Sequence, residues 1–366
     1  MNIIVAIESF LNIINSAEIG DYIKKGLPDD RVKILPVIDG GRGSVDVIKK
    51  IIGGNFQYVN VHDPLNHAVT CRYILKGELA IIEMAETSGL HLIYEKDRDI
   101  MKSSSIGLGE CIVDALDNGA REFTITIGDT ATNDMGMGML YALGAKFLDE
   151  NKRELEPSVI NLRKVVDMDI NGLDNRLKES KFYLACNINS PLLGENGAAL
   201  KHARKKGAKE ADILKLENLA KDFTALVKRK FDIHVENHPQ AGAGGGCSYA
   251  MMAFLNANAK RTMDLIIDNI NFKDHMKDSN LVFVGEELTD WQNSPSLRIA
   301  KIAKEAKKDL KVVFLGDDLD VNIKKPKEID AIFNMNYYHR DKKLSEKEYY
   351  GINIQKTAKE IRDLII

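Results

Sequence analysis

An apolar, β-branched run, Phe123-Thr124-Ile125-Thr126-Ile127, stops in Gly128-Asp129-Thr130-Ala131-Thr132-Asn133-Asp134-Met135-Gly136, and small-residue helical sequence follows over 138–145. This pattern constrains the fold most, because open α/β sheets place their ligands where strands end in such turns. The turn offers backbone N–H groups, two hydroxyls, an amide and two acids. That set suits a polyol acid, a phosphate or Mg²⁺. A polar cap between strand and helix is the plainer alternative.

Other loops share this build. The apolar stretch 34–38 runs into Asp39-Gly40-Gly41-Arg42-Gly43-Ser44, and 281–284 runs into Gly285-Glu286-Glu287-Leu288-Thr289-Asp290. Ala241-Gly242-Ala243-Gly244-Gly245-Gly246 opens a helical segment, where glycines allow close backbone approach and a helix N-terminus favours an anion. Several such loops at strand ends or helix starts point to one ligand site.

Strand and helix patterns alternate at both chain ends: strands at 3–6 and 32–38 with helices after each, then strands at 281–284, 312–315 and 332–334 with helices between and after. Strands at 3–6, 34–38, 281–284 and 312–315 are expected in one parallel sheet. Residues 58–84 change to short strands and turns, an antiparallel piece. The middle mixes an edge-like segment at 182–187 with helices near 209–230 and after the glycine run. The fold class expected is α/β: a Rossmann- or flavodoxin-like parallel-sheet domain interrupted by an inserted α+β domain, with a ligand cleft between them. The parallel-sheet domain is expected over 1–57, about 101–135 and 278–366, and the insert over about 58–100 and 136–277.

A length of 366 residues favours about two domains. The net charge of −3 gives no electrostatic reason to expect nucleic acid or an anionic membrane. No stretch approaches the ~20 apolar residues of a spanning helix, and the apolar N-terminus, interrupted by Glu8, reads as a first strand instead of a signal peptide. Cys71, Cys111, Cys186 and Cys247 lie far apart without a C-x-x-C pair, as expected of thiols in a cytoplasmic protein. His234 and His238 read as ordinary loop residues, and Glu83, in an apolar run, as either a paired core acid or a site residue.

These loops, in this order, resemble the type-1 glycerate kinase family along essentially the whole chain. The family's opening A-P-D-S-F-K-G-S corresponds to Ala6-Ile7-Glu8-Ser9-Phe10-Leu11-Asn12, and its A-D-G-G-E-G-T to Ile38 through Ser44. Its I-E-M-A-x-x-S-G-L is matched by Ile82 through Leu90, its T-S-x-G-x-G-E by Ser104 through Glu110, and its G-G-S-A-T-N-D-x-G-x-G-M by Gly128 through Met139. Ala241 through Gly246 follows its G-A-G-A-A-G-G more loosely.

The resemblance implies ATP- and Mg²⁺-dependent phosphorylation of glycerate or a similar small hydroxy acid. On the acceptor side it points to Glu8, Ser9, Thr130, Asn133, Asn187 and Asn189. On the nucleotide side it points to Arg42, Arg204, Lys205, Gly244, Gly245 and Gly246. Asp39, Asp134 and Glu286 are the catalytic acids it suggests, and Asp39, Asp134 and Asp290 the metal ligands. Expected partners are the acid substrate and ATP, and a homo-oligomer is compatible with the sequence.

Departures from the pattern fall in the loops. The family's first-loop lysine is Leu11, its Asp-Gly-Gly-Glu acid is Arg42, and its C-D-V-D-N-P-L becomes Cys186-Asn187-Ile188-Asn189-Ser190-Pro191-Leu192. Its G-E-G-R arginine is Leu288, and its G-P-Q-K-G-A becomes Ala203-Arg204-Lys205-Lys206-Gly207-Ala208. Because phosphoryl transfer rests on positioning and charge neutralisation, these changes imply reduced activity. The competing expectation is an inactive homologue serving as a ligand sensor or a partner-binding protein.

Overall fold

Six consecutive residues, Asn-Ile-Ile-Val-Ala-Ile, open the chain as β1 (Asn2–Ile7), buried along almost its whole length. A strand apolar on both faces belongs at the centre of a covered parallel sheet. In the computed structural model, residues 10–12, 36, 39, 263–271, 287, 289–290, 292–293, 318, 321, 336–343 and 366 are not described, and all others are. After β1 comes β2 (Arg31–Ile34), then β3 (Asn55–His62), β4 (Ala68–Lys76), β5 (Leu79–Glu83) and β6 (Glu122–Thr126). A short pair, β7 (Lys146–Leu148) and β8 (Asp167–Asp169), precedes β9 (Lys181–Ala185) and β10 (Asn258–Lys260). The last strands are β11 (Leu281–Gly285), β12 (Lys311–Gly316) and β13 (Ala331–Asn334).

The chain divides into two compact units, residues 1–38 with 266–366, and residues 39–265. In the first, the sheet order is β13-β12-β11-β1-β2, with every pairing parallel. The strands expected together from the alternation at both chain ends do share this sheet, although β2 stops at Ile34. The charged residues Arg31 and Lys33 on exposed positions suit β2 to an edge. Ile3, Val5, Phe283 and Leu315 form a core with Ile19 and Ile23 of helix Ser16–Gly26 and Ile354 and Ala358 of helix Glu346–Ile365. Asn15 starts the first of these helices with a reciprocal cap to Glu18.

The second unit carries a six-stranded sheet, order β10-β9-β6-β5-β4-β3. From β10 to β5 the neighbours are parallel, whereas β5, β4 and β3 run antiparallel, as the changed pattern over 58–84 anticipated. Phe123 of β6 stacks on Phe182 of β9 at 4.6 Å between ring centres, within the core of this unit.

The domain boundaries differ from those expected. Residues 39–57 and 101–135 stand in the second unit, so the insertion is one continuous segment. The physical reason is that β6 is a buried parallel strand followed by a turn, as β1 and β11 are. Its pattern would serve either sheet, and only its partners β5 and β9 decide which.

Candidate active site

The parallel strands β5, β6 and β9 end together, and the loops leaving them are stitched to one another. Ile127 N–H donates to Ala185 O at 2.9 Å, Leu90 N–H to Asp129 O at 2.8 Å, and Ala131 N–H to Ser88 O at 2.8 Å. Asp129 takes a left-handed conformation, φ 51°, and its Oδ2 accepts Arg42 N–H at 3.1 Å. Gly128 is required by this crowding: a Cβ there would stand 2.6 Å from both N and Cα of Gly41.

Asp134 is buried at the centre of the turn. Its Oδ2 accepts Ser105 N–H at 2.8 Å, Ser105 O–H at 2.9 Å and Gly138 N–H at 2.9 Å, while Oδ1 accepts Gly136 N–H at 3.2 Å. Burial pushes its carboxyl above the ordinary aspartate value, and these donors pull the other way. With its oxygens engaged by protein donors, Asp134 holds the turn in shape. Glu83 is an analogous brace at the end of β5. Its two oxygens accept Gly43 N–H and Val45 N–H, each at 3.0 Å, at the start of helix Ser44–Ile52. Burial raises its carboxyl to about 8, opposed by those two donors.

Thr130 and Asn133 of the turn are both buried. Neither Nδ2 nor Oδ1 of Asn133 has a hydrogen-bond partner among the described residues. Beside them lies a cation that the sequence reading passed over. Lys206 is 7% exposed, and its Nζ donates to Thr132 O at 2.7 Å and to Thr130 Oγ1 at 3.2 Å. Burial pulls its ammonium down to about 8, while Cys247 and Asp134 oppose the shift. The expected nucleotide-side cations behave differently. Arg204 is exposed and grips Glu210 with a two-point pair at 2.7 and 3.1 Å, and Lys205 is exposed. The sequence signal for Lys206 was its place before Gly207, where the resembling motif G-P-Q-K-G-A also carries a lysine.

The glycine run 244–246 is buried and packs against the turn instead of facing outward. Gly245 has φ 65°, and a Cβ there would sit 2.0 Å from Thr132 O; at Gly246 it would sit 2.8 Å from Met135 Cα. Met135 N–H donates to Gly245 O at 3.1 Å. These glycines permit contact of backbone with backbone.

Asn187 is half-buried beyond β9, and its Oδ1 accepts Thr262 N–H at 3.1 Å; Asn189 is exposed. Arg42 is exposed. In the first unit, half-buried Glu8 and Ser9 follow β1, with Glu8 N–H donating to Gly285 O at 2.9 Å. Glu286 follows β11, is buried, and through Oε1 accepts Ser294 O–H and Ser296 N–H, the latter at 3.1 Å, at the start of helix Pro295–Ala306. Thr130, Asn133 and Asn187 thus lie at the carboxyl end of the second unit's sheet, and Glu286 at that of the first. Asp39 and Asp290 lie outside the described residues, as does Leu11. No cluster of three or more metal-ligating side chains occurs among the described residues.

A family model described as the glycerate kinase family matches residues 3–365. The chain is 36% identical to glycerate 2-kinase of Escherichia coli K12 over 346 residues, covering 92% of this chain and 90% of that one. It is 33% identical to glycerate kinase of Halalkalibacterium halodurans, covering 83% and 82%. Among solved structures it is similar to a Salmonella typhimurium LT2 protein described as a glycerate kinase 2, with a TM-score of 0.79, 30% identity, and coverage of 100% and 98%.

Proposed function

The chain belongs to the glycerate kinase family, and from that premise we propose that it transfers a phosphoryl group from ATP to glycerate or a similar small hydroxy acid. The observation that carries this reading is the turn after β6. Its sequence keeps the family pattern, and a buried threonine, a buried amide and a buried lysine meet there at the carboxyl end of a parallel sheet.

In the proposed division of labour, Thr130 and Asn133 bind the acceptor, Asn187 and Asn189 orient its hydroxyls, and Asp39 takes the proton of the attacking hydroxyl. Glu8 and Ser9 complete the acceptor side, and Arg42 offers a guanidinium to the phosphates. Mg²⁺ is proposed to arrive with the nucleotide as its phosphate complex, with Asp39, Asp134 and Asp290 as its protein ligands. Turnover is proposed to be below that of relatives keeping the first-loop lysine, because Leu11 and Leu288 stand where the family pattern has cations.

The deciding experiment is ADP release by the purified chain across D-glycerate, L-glycerate and related hydroxy acids, with and without Mg²⁺. Acid-dependent ADP release supports the reading. No release with any acid, together with measurable acid binding, would replace it with the non-catalytic ligand sensor.

A further inference from the structure

We propose that Lys206, with the amide of Asn133, is the recognition point for the carboxylate of the acceptor acid. The inference rests on the functional reading above and deepens it by assigning one chemical group of the substrate to one pair of residues.

Lys206 is a buried cation with no carboxylate partner among the described residues. An ammonium has three donors, and Thr130 and Thr132 take two of them. Asp134, the acid whose charge it feels, accepts from Ser105, Gly136 and Gly138. A buried charge that only neutral groups solvate is destabilising, and an apolar side chain of similar length would fill the space without that penalty. Such a lysine is most simply explained by an anion that completes its shell.

Asn133 supplies an independent observation. It is 0% exposed, and both polar atoms of its amide lack partners, a rare condition for a buried side chain. It follows Thr132, whose carbonyl accepts Lys206 Nζ, so the lysine contact and the unpartnered amide belong to adjacent residues of the turn. Their chemistry defines the ligand class. One cation and one amide, both recessed, suit a single small oxyanion; a triphosphate demands several cations, and the adjacent Arg204 and Lys205 are at the surface.

The test uses the full chain as wild type, Lys206→Met, Lys206→Arg and Asn133→Asp, with D-glycerate and its uncharged amide, glyceramide, as acceptors. Lys206→Met should raise the KM for glycerate about 30-fold or more, the loss expected when one partner of a buried charged contact is removed. The KM for ATP and the kinetics with glyceramide should stay near wild type, and Tm should hold or rise. Lys206→Arg should fall between, and Asn133→Asp, which places a competing carboxylate beside the lysine, should weaken glycerate alone. The proposal is overturned if Lys206→Met leaves the glycerate KM unchanged, affects both acceptors equally, raises the KM for ATP instead, or unfolds the chain while Asn133→Asp leaves glycerate affinity intact. Should wild type release no ADP, calorimetric titration with D-glycerate separates the two readings. Binding lost in Lys206→Met supports the carboxylate site without the kinase, and binding absent or unaltered in the variant overturns it.

Discussion

Lysine 206 and its neighbours show how three adjacent cations acquire different physics. Arg204 and Lys205 are hydrated, and Lys206 is withdrawn into the unit with neutral oxygens around it. The consequence for stability follows from its ammonium, held near 8 against an ordinary lysine value of 10.5. Between those values the unfolded chain keeps a proton that the folded chain has released, so raising the pH favours the folded state. Below pH 8 the full penalty of burying the charge is present. The facing groups do not blur this window: Cys247 is pushed up and stays a thiol, His202 is held down to about 4 and stays neutral, and Asp134 is satisfied by its own donors. The Tm advantage of Lys206→Met over wild type should therefore be largest below pH 8 and shrink toward pH 10; an advantage that grows with pH would contradict it. Asp39 gives the second residue-scale expectation. If it accepts the acceptor's proton, Asp39→Asn should lower kcat by about 10²-fold or more with little change in the KM for ATP. A change confined to KM would assign it to binding. Asp39 stands in the sequence as an acid beside two glycines and lies outside the described residues, whereas Lys206 was not singled out, because burial is a tertiary property that a run of basic residues does not reveal.

Among the elements, the glycine run and the turn after β6 behave as one object. Both glycines with the tightest surroundings, Gly245 and Gly246, have positive φ and face backbone atoms of 132–135. Gly245→Ala would combine a left-handed alanine with a Cβ 2.0 Å from Thr132 O. Strain and overpacking together should cost about 2–5 kcal/mol, lowering Tm by roughly 5–15 °C. Melting curves of Gly245→Ala that match wild type would show that the run does not pack as described. The loops were legible as special from their composition, but not what their glycines do. A glycine is equally required by a phosphate and by a neighbouring peptide, and the second demand shows only in the approach of Thr132 and Met135. Asp134 and Glu83 teach the same lesson. Asp134 read as a site acid and Glu83 as either a paired core acid or a site residue, and each is engaged by backbone N–H groups that start or shape the next segment. The sheet membership of β6 escaped the sequence for a related reason, since buried parallel strands are interchangeable until their partners are known.

At the scale of the whole molecule, the substituted loops belong to different units: Leu288 to the one built from the chain ends, Arg42, Asn187 and Asn189 to the continuous segment 39–265. A single loop drifting from the family pattern would suggest local change, but changes spread over both units bear on the reaction as a whole. Each removes or reverses a charge that phosphoryl transfer can use: Leu11 and Leu288 take away cations, Asn187 and Asn189 take away acids, and Arg42 exchanges an acid for a cation. Loss of a phosphate-side cation lowers rates by about 10³-fold or more by analogy with arginine fingers, and Arg42 can recover part of this by forking onto phosphate oxygens. The amides at 187 and 189 can hold a hydroxyl but cannot take its proton. Restoring the family residues together, Leu11→Lys with Asn187→Asp and Asn189→Asp, should therefore raise kcat with glycerate, and Arg42→Ala in that background should matter less than in wild type. Asn187 sets a limit on the gain. Its Oδ1 accepts Thr262 N–H, a bond that an aspartate oxygen also makes, so the replacement keeps that acceptor while exchanging the amide's donors for charge. Wild-type turnover of about 1–100 s⁻¹, the range of ordinary kinases, with no gain in the triple variant would show that these positions lie outside the chemistry. A rise in kcat without a fall in Tm would place the lost rate in the missing charges and not in the fold.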